Sequence, residues 1–547
     1  MKHFSIIFRP DGKQISIHTG ATLADAAGQA GIILNSVCGG KGTCGKCLVN
    51  LGPNGRQVLA CQHHIDSDLT VTIPPESRLF EHKILTEGIA PQTKVLPAAC
   101  LVGQPDIYKK YQQGDSTKQI SGVAVDIGTT TVVAKLIDMA TGRCIATQAA
   151  LNPQAQYGDD VISRITYAQA DAGLAELHKL IIDCINQLIS QLCKQASIDP
   201  GHIYEVCVVG NTTMSHIFLK YPIAQLGRLP FKPFSVDAHD VPAAQLALQI
   251  NPAGNVHTVE NIAGFVGSDT TAVALAVDMG SAKDFTLAVD IGTNGEIVLG
   301  TKDKLYAASC AAGPAFEGAR IKCGSRAMEG AIQAVVVNEG DIDLDVIGDC
   351  PPRSICGSGL IDAVAVLLDL GIIDSTGRFA CPRQQHSGVE SKKLQGKLAP
   401  PIIARIIEHN REPAFCLSRA ANVNEREVFL TQQDIRQVQL AKAAIRAGIK
   451  LLQKKMVLSD SDIKQVLLAG AFGNYIRRES ALRIGLLPDV PVERIRFVGN
   501  AAVSGAEMIL LNSALRAEAK RLARKIRYVE IANEPEFQTV FAESMTF

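Results

Sequence analysis

The sequence predicts a chain of several domains, α/β and α+β in class, whose larger C-terminal part is a duplicated α/β fold. Three observations carry the prediction. In Val123 to Lys135, two runs of β-branched and small apolar residues flank Asp126-Ile127-Gly128-Thr129-Thr130-Thr131, the pattern of a hairpin with a polar tip. The pattern returns 164 residues later as Asp290-Ile291-Gly292-Thr293-Asn294, followed by Gly295 and Glu296. Four cysteines, Cys38, Cys44, Cys47 and Cys61, lie in and just after a glycine-rich loop. Gly128 lets the backbone approach a ligand and the threonines surround it with hydroxyls, so each tip suits phosphate. Two copies, each opening a long α/β segment, point to a phosphate clamp between two halves.

At 547 residues the chain has room for about three or four domains, each with its own core. Its formal charge is zero, so no global field argues for nucleic acid or for an anionic membrane. The basic run Lys520, Arg521, Arg524, Lys525, Arg527 reads as the solvated face of a helix. No apolar run reaches membrane-spanning length and the N-terminus lacks a signal-peptide core, which predicts a cytoplasmic protein. The cysteine count is odd, at 15. Eleven are scattered through apolar or Gly-rich segments, as expected of buried thiols in a reducing compartment.

Residues 3 to 8 and 14 to 18 read as strands joined at Pro10-Asp11-Gly12, and Thr22 suits the cap of a helix from Leu23 to Ala30. The cysteine spacing is C-x5-C-x2-C-x13-C. Four thiolates are the ligand set of a [2Fe–2S] cluster, and plant-type spacing is one residue shorter in its first gap. The glycines at 39, 40, 42 and 45 let the loop wrap a cluster closely. Zinc or free thiols are the alternative; zinc sites favour paired Cys-x2-Cys knuckles and only one is present. His63 and His64 lack a Rieske pairing and read as surface residues. Strand, helix and strand, closing at Leu69 to Ile73, resemble a β-grasp ferredoxin over residues 1–80. Residues 81–120, with Pro91, Pro97 and Pro105, have linker composition, and an electron carrier on a tether can visit two partners.

Beyond the first hairpin, Asn152-Pro153-Gln154-Ala155-Gln156-Tyr157-Gly158-Asp159-Asp160 leads into a helix from Val161 to Ala170. Asp159 and Asp160 are site candidates, with helix capping as the plainer role. Leu174, Leu177, Ile181, Ile185, Leu188 and Leu192 recur at helical spacing. The buried strand Val206 to Val209 ends in Gly210-Asn211-Thr212, a strand-to-helix turn able to present amides and hydroxyls to phosphate. Gly264 to Thr271 leads into a helix, Cys310 to Gly318 is a Gly/Pro loop with one acid, and Cys356 to Asp362 opens an apolar helix. Thr431 to Asp434 has the form of a capping box for a helix to about Lys455. Val466 to Ala469 is a buried strand ending in Gly470-Ala471-Phe472-Gly473, where a purine can lie against backbone.

Hairpin, hairpin and strand-Gly-x-x-Gly, in that order, resemble the ribonuclease H-like ATPase core of actins, sugar kinases and heat-shock chaperones. The resemblance implies lobes at 121–283 and 284–547, the second with a C-terminal return segment. It places Asp126 and Asp290 near Mg²⁺, with Glu296 and Asp159 as further catalytic acids. It places Gly128, Thr129, Thr130, Thr131, Gly210, Asn211, Thr212, Gly292, Thr293 and Asn294 around the phosphates, and Gly470, Ala471, Phe472 and Gly473 near the adenosine of ATP.

A ferredoxin followed by this core is similar, over essentially the whole chain, to the reductive activators of corrinoid proteins. The four-cysteine loop, NPQAQYGDDVISRI, VGNTTMSH, DIGTNGEI, SCAAGPAFEGA and the C-terminal EPEFQTVFAESMTF carry the resemblance. It implies ATP-driven transfer of one electron from the cluster to Co(II) of a corrinoid protein, restoring Co(I), with a separate upstream electron donor, in anaerobic metabolism. Family members can carry an additional middle domain where this chain has a short linker, which bears on whether it forms a homodimer. Three rivals differ: an activator of 2-hydroxyacyl-CoA dehydratases, with a cluster inside the core for which Cys310, Cys323, Cys350 and Cys356 are the available thiols; a metabolite kinase fused to a ferredoxin; and a non-catalytic ATP or redox switch.

Overall fold

Side-chain alternation decides which way each buried strand looks. In a computed structural model of the chain, Ser121–Ile127 pairs antiparallel with Thr131–Asp138 and parallel with Ile203–Gly210. Val123, Val125 and Ile127 enter one apolar core while Ala124 enters another, because successive residues of a strand point to opposite faces. Asp126, two residues beyond Ala124, therefore shares the face of Ala124. The structure describes residues 3–10, 12–30, 32, 34, 42–43, 45–52, 55–74, 77, 93–99, 120–348, 350–380, 398–420, 426–470 and 476–547.

The sheet built on this hairpin has six strands in the order His239–Pro242, Asn255–Thr258, Ile203–Gly210, Ser121–Ile127, Thr131–Asp138, Cys144–Leu151. A second six-stranded sheet runs Ile495–Gly499, Gln465–Ala469, Thr286–Ile291, Gly295–Thr301, Lys304–Cys310, Ile526–Tyr528. In both, the strand leading into Asp-x-Gly-Thr begins an antiparallel meander of two further strands on one side and has two successive parallel strands on the other. The duplication read from the two turns is thus a duplication of sheet topology.

Each sheet is covered on its outer face by one long helix. Gly173–Ala196 lies on Thr131–Asp138 and Cys144–Leu151, and Gln432–Met456 lies on Gly295–Thr301 and Lys304–Cys310. Thr431 and Asp434 cap the second helix reciprocally, as their spacing predicts. Between the sheets lie Ser268–Ala276 and Ala501–Leu511, packed on each other. Ala501–Leu511, from the second half of the chain, also rests on Ser121–Ile127 and Ile203–Gly210 of the first. The central core accordingly mixes Val133, Cys207 and Val273 with Ala288, Val298, Leu467 and Val503. Lys135, on the inner face of its strand, meets Glu507 of that helix at 2.9 Å, with both side chains at least nine-tenths buried.

The N-terminal sheet has the order Lys13–His18, His3–Arg9, Leu69–Thr72, Leu48–Leu51, Arg56–Leu59, with helix Leu23–Gln29. Its first and last strands are parallel neighbours in the centre, the β-grasp arrangement of a ferredoxin. Thr22 and Asp25 cap the helix reciprocally. Two features differ from the sequence reading. The helix expected to reach Ala170 spans Val161–Tyr167, because the chain turns back through Ala172, at φ 65°, into the next helix. Within the stretch read as a linker, residues 93–99 lie against the core: Leu96 N–H donates to Leu511 O at 2.8 Å, and Ala98 and Ala99 are fully buried. Most of that stretch, with Cys38, Cys44, Ala471, Phe472 and Gly473, lies outside the described residues. Among the described residues, no helix is long and apolar enough to cross a membrane.

Removing one partner of a buried ion pair strands the other charge, at a cost of about 3 kcal/mol or more. Glu507→Ala is therefore expected to lower the denaturant midpoint of the core, and pairing it with Lys135→Met is expected to recover most of the loss in equilibrium unfolding.

Candidate functional site

Strand parity brings the acids together. Asp126 lies two residues after Ala124, Asp290 two after Ala288 and Glu296 two before Val298, each on the face that enters the central core. Asp269, in the first turn of the interlobe helix Ser268–Ala276, joins them. Burial, then the charges of Asp269 and Asp290, pushes the Asp126 carboxyl up to about 8, while a hydrogen bond from Asn500 opposes the shift. Burial and Asp269 push Asp290 up to about 7. Burial also raises Glu296, with Asp269 and Asp290 adding to it, and raises Asp269 against the hydrogen bonds from Thr270. Four carboxyls that resist ionising together form an all-oxygen site whose charge a divalent cation can release. Among the described residues, no group of three or more His, Cys, Asp or Glu side chains is arranged to grip a metal directly. The arrangement fits Mg²⁺, which keeps several of its waters.

The two tips meet above these acids. Thr130 Oγ1 lies 3.0 Å from Thr293 Oγ1, a contact between the two halves of the chain. Gly128 closes its turn by donating to Thr131 O at 2.8 Å, where a Cβ on Gly128 would lie 2.7 Å from that oxygen. Gly292 donates to Asn294 O at 3.0 Å. The first tip is held from behind: Asn152 Nδ2 donates to Gly128 O at 2.9 Å, Asn211 Nδ2 to Thr129 Oγ1 at 2.9 Å, and fully buried Arg164 to Thr129 O. Asn211 also caps the short helix Thr212–Phe218, and the Thr212 hydroxyl donates to Ala263 O at 2.5 Å. The Gly210 to Thr212 turn thus spends its named polar groups on the protein itself. Gly470, at φ 93°, ends the strand beside Asp290, and a Cβ there would lie 2.4 Å from Asp290 Oδ1.

The adjacent acids Asp159 and Asp160 line the same cavity but differ in what engages them. Asp160 accepts from Ser163 N at 2.7 Å and caps the helix Val161–Tyr167. Asp159 lines a cavity of about 2300 Å³ with Thr130, Thr293, Glu317 and Arg326. Burial pushes its carboxyl up to about 6, with Arg326 and Arg164 pulling it down. Thr293 donates to Glu317, which faces Arg326 at 3.7 Å. The turn Cys310 to Gly318 had shown one acid with no assigned role. Asn500 and Asp269 carried no signal beyond their place at helix starts.

The same cavity is lined by Thr43, Gly45 and Lys46 of the N-terminal domain, residues next to Cys47. Cys47 and Cys61 lie with their sulfurs 3.3 Å apart, both buried. Two thiols side by side beneath glycines at positive φ, Gly42 and Gly45, fit a shared iron of a cluster. Cys310, Cys323, Cys350 and Cys356 do not converge: their thiols lie against other groups, Cys323 at Glu427 O, Cys350 at Ile347 O and Cys356 at Ile332 O, and Cys310 is buried against Gly448.

Three family models match: a "2Fe-2S iron-sulfur cluster binding domain" over residues 8–66, the "RACo middle region" over 121–282, and the "C-terminal domain of RACo the ASKHA domain" over 284–547. The chain is 33% identical to the corrinoid activation enzyme RamQ of Eubacterium limosum, covering 98% of both chains. It belongs to the RACo family. A solved structure titled reductive activator for corrinoid, iron-sulfur protein matches it with a TM-score of 0.71 at 32% identity, over all of this chain and 98% of that one. A [Co(II) methylated amine-specific corrinoid protein] reductase of Methanosarcina barkeri is 24% identical, over 74% of this chain and 72% of the relative. The RACo middle-region model falls on the half built around Asp126, and the RACo C-terminal model on the half built around Asp290. The RACo fold, a ferredoxin joined to an actin-like core, is the one observed.

Gly470→Ala forces a methyl into Asp290 and requires a backbone angle that side chains disfavour. Mg-ATP binding is expected to weaken more than tenfold in isothermal titration, with cluster absorbance unchanged.

Proposed function

We propose that this protein uses ATP to reactivate a corrinoid protein, passing one electron from a [2Fe–2S] cluster to Co(II) and restoring Co(I). The observation that carries the reading is the shared cavity: thiols suited to a cluster sit in a domain docked against the phosphate-type tips of an interlobe acid site. Membership of the RACo family and the names of its relatives support the corrinoid partner. Residues 1–80 form the electron carrier in this reading, 81–120 connect it, and 121–283 and 284–547 form the two lobes. A separate donor refills the carrier.

Thr129, Thr130, Thr293 and Asn294 bind phosphate oxygens, Asp126, Asp290 and Glu296 hold hydrated Mg²⁺, and the chain after Gly470 holds the adenosine. Positioning and charge neutralisation account for hydrolysis at such a site. Asp159, with its raised carboxyl, accepts a proton from the attacking water. When bound, the cluster supplies a single electron near about −400 mV. Co(II) in a resting corrinoid protein is harder to reduce, and each 59 mV of deficit costs about tenfold. The chain overcomes that deficit by binding one state of its partner better than the other, with nucleotide selecting which. The dehydratase-activator reading needs core cysteines to converge, and Cys310, Cys323, Cys350 and Cys356 lie instead against separate groups.

Ultraviolet-visible spectra of the anaerobic protein with a Co(II) corrinoid protein, reductant and Mg-ATP are expected to show the Co(I) band only with ATP present. A Co(I) band of equal size without ATP counts against the reading. An Asp159 carboxyl near 6 is protonated, and unable to accept a proton, below that pH. ATP turnover is therefore expected to rise with pH through about 6, and Asp159→Asn to lower turnover and flatten that limb of the pH profile.

A further inference from the structure

A line of contacts runs from the phosphate tips to the cysteine loop. A threonine hydroxyl has one proton to give. Thr293 donates its proton to Glu317 Oε1, so in the 3.0 Å contact of the two tips Thr293 accepts and Thr130 donates. Both tip hydroxyls are therefore spent on protein groups. Glu317 is followed by Gly318, whose carbonyl accepts from Lys46 Nζ at 2.9 Å. Lys46 precedes Cys47, one of the two thiols that face each other. On its other side Glu317 faces Arg326 at 3.7 Å, and one guanidinium nitrogen of Arg326, Nη1, is buried without a hydrogen-bond partner.

The turn is packed as a unit. Gly318 has φ 76°, and a Cβ on it would lie 2.2 Å from Ser325 O; a Cβ on Gly324 would lie 2.3 Å from Gly318 O. Backbone packed this closely cannot let Glu317 shift while Gly318 and Ser325 stay in place.

We propose that the Glu317–Gly318 turn couples nucleotide to the ferredoxin domain, so that ATP at the tips releases the cysteine loop from the core. The proposal rests on the ATP reading given above and adds the regulation of that site. A phosphate oxygen arriving between the tips accepts hydrogen bonds from the hydroxyls of Thr130 and Thr293. Glu317 then loses its donor and gains a negative neighbour, and Arg326, with a guanidinium nitrogen to spare, is the cation it turns to. That movement carries the Gly318 carbonyl away from Lys46. With the contact made, Lys46 beside Cys47 is held on the cavity wall; with it broken, that tie to the core is lost and the segment can turn toward an acceptor outside. Lys46 and Glu317 act here as positioning residues.

Linkage makes the idea measurable: if nucleotide breaks a contact, removing the contact must tighten nucleotide binding. Hydrogen exchange by mass spectrometry on the full, cluster-loaded chain reads the loop, with Mg²⁺ and a non-hydrolysable ATP analogue as probe. Exchange at residues 42–49 and 313–326 is expected to rise at least threefold with the analogue. Lys46→Ala is expected to show fast exchange at 42–49 without nucleotide, no further rise with it, and binding of the analogue about two- to tenfold tighter by calorimetry, from the usual worth of one hydrogen bond. Lys46→Arg, which keeps the donor, should restore the wild-type pattern, and an unchanged cluster spectrum shows that the variants are folded. Analogue binding with no change at 42–49, or Lys46→Ala with unaltered affinity, overturns the coupling while leaving the ATP reading intact. If calorimetry shows no nucleotide binding to the wild type, both fall together.

Discussion

The constraint on which the rest depends is electrostatic: Asp126, Asp269, Asp290 and Glu296 share one buried place between two sheets, and they cannot all carry charge there unaided. Burial disfavours each charge, and every neighbouring carboxylate disfavours it further. Such a cluster persists only because the fold supplies the energy through two apolar cores outside the sheets and one between them. Side-chain parity does the placing. The same alternation that sends Val123, Val125 and Leu287, Val289 outward turns Asp126 and Asp290 inward, so a one-residue slip in either central strand would remove an acid from the site and bury it in the wrong core.

The stretch from Asn152 to Arg164 looks like a binding loop because it is polar and rich in turn residues. Most of its polarity is internal. Arg164 is completely buried and spends its guanidinium on Thr129 O, on Gly158 O at 3.0 Å and on Gln154 Oε1 at 3.1 Å. Gln154 reaches Leu177 O at 2.9 Å, tying the loop to the outer helix. The result is a tip whose backbone is fixed before any ligand arrives, which is how a site avoids reorganising when charge appears in it. Asp159 and Asp160 both line the cavity, but Asp160 is also committed as the cap of the helix that follows.

Legibility in the sequence followed the range of the interaction. The hairpin tips, the capping box at Thr431 and the helix at Leu23 are written in residues a few positions apart, and local turn and cap chemistry identifies them. The duplicated sheets were legible because the same local signal occurred twice. Asp269, Asn500, Glu317 and Arg326 come to the candidate site only through partners far along the chain, as in the hydrogen bond from Asn500 to Asp126 at 3.2 Å, and no spacing announces them. Asp159 and Asp160 have interchangeable local sequence, so only the start of the helix that follows shows which of them is its cap. Residues 93–99 have the composition of a linker, yet Ala98 and Ala99 are fully buried; two alanines and a proline give too little pattern to mark a packed segment.

The central layer also sets an order for building the molecule. Helix Ala501–Leu511 completes the inner face of a sheet whose own strands end at Thr258, and the ribosome delivers it only after the strand Ile495–Gly499 of the second sheet. Until then Ala124, Val133, Cys207 and Val209 lack their cover, and Lys135 lacks Glu507. The first half of the core therefore emerges as a sheet with an outer helix and an open apolar inner face, the type of surface on which chaperones act and nascent chains aggregate. Contacts of this sequence separation are slow to form. A chain cut short before Ala501 loses more than its second lobe: it leaves the first unable to close.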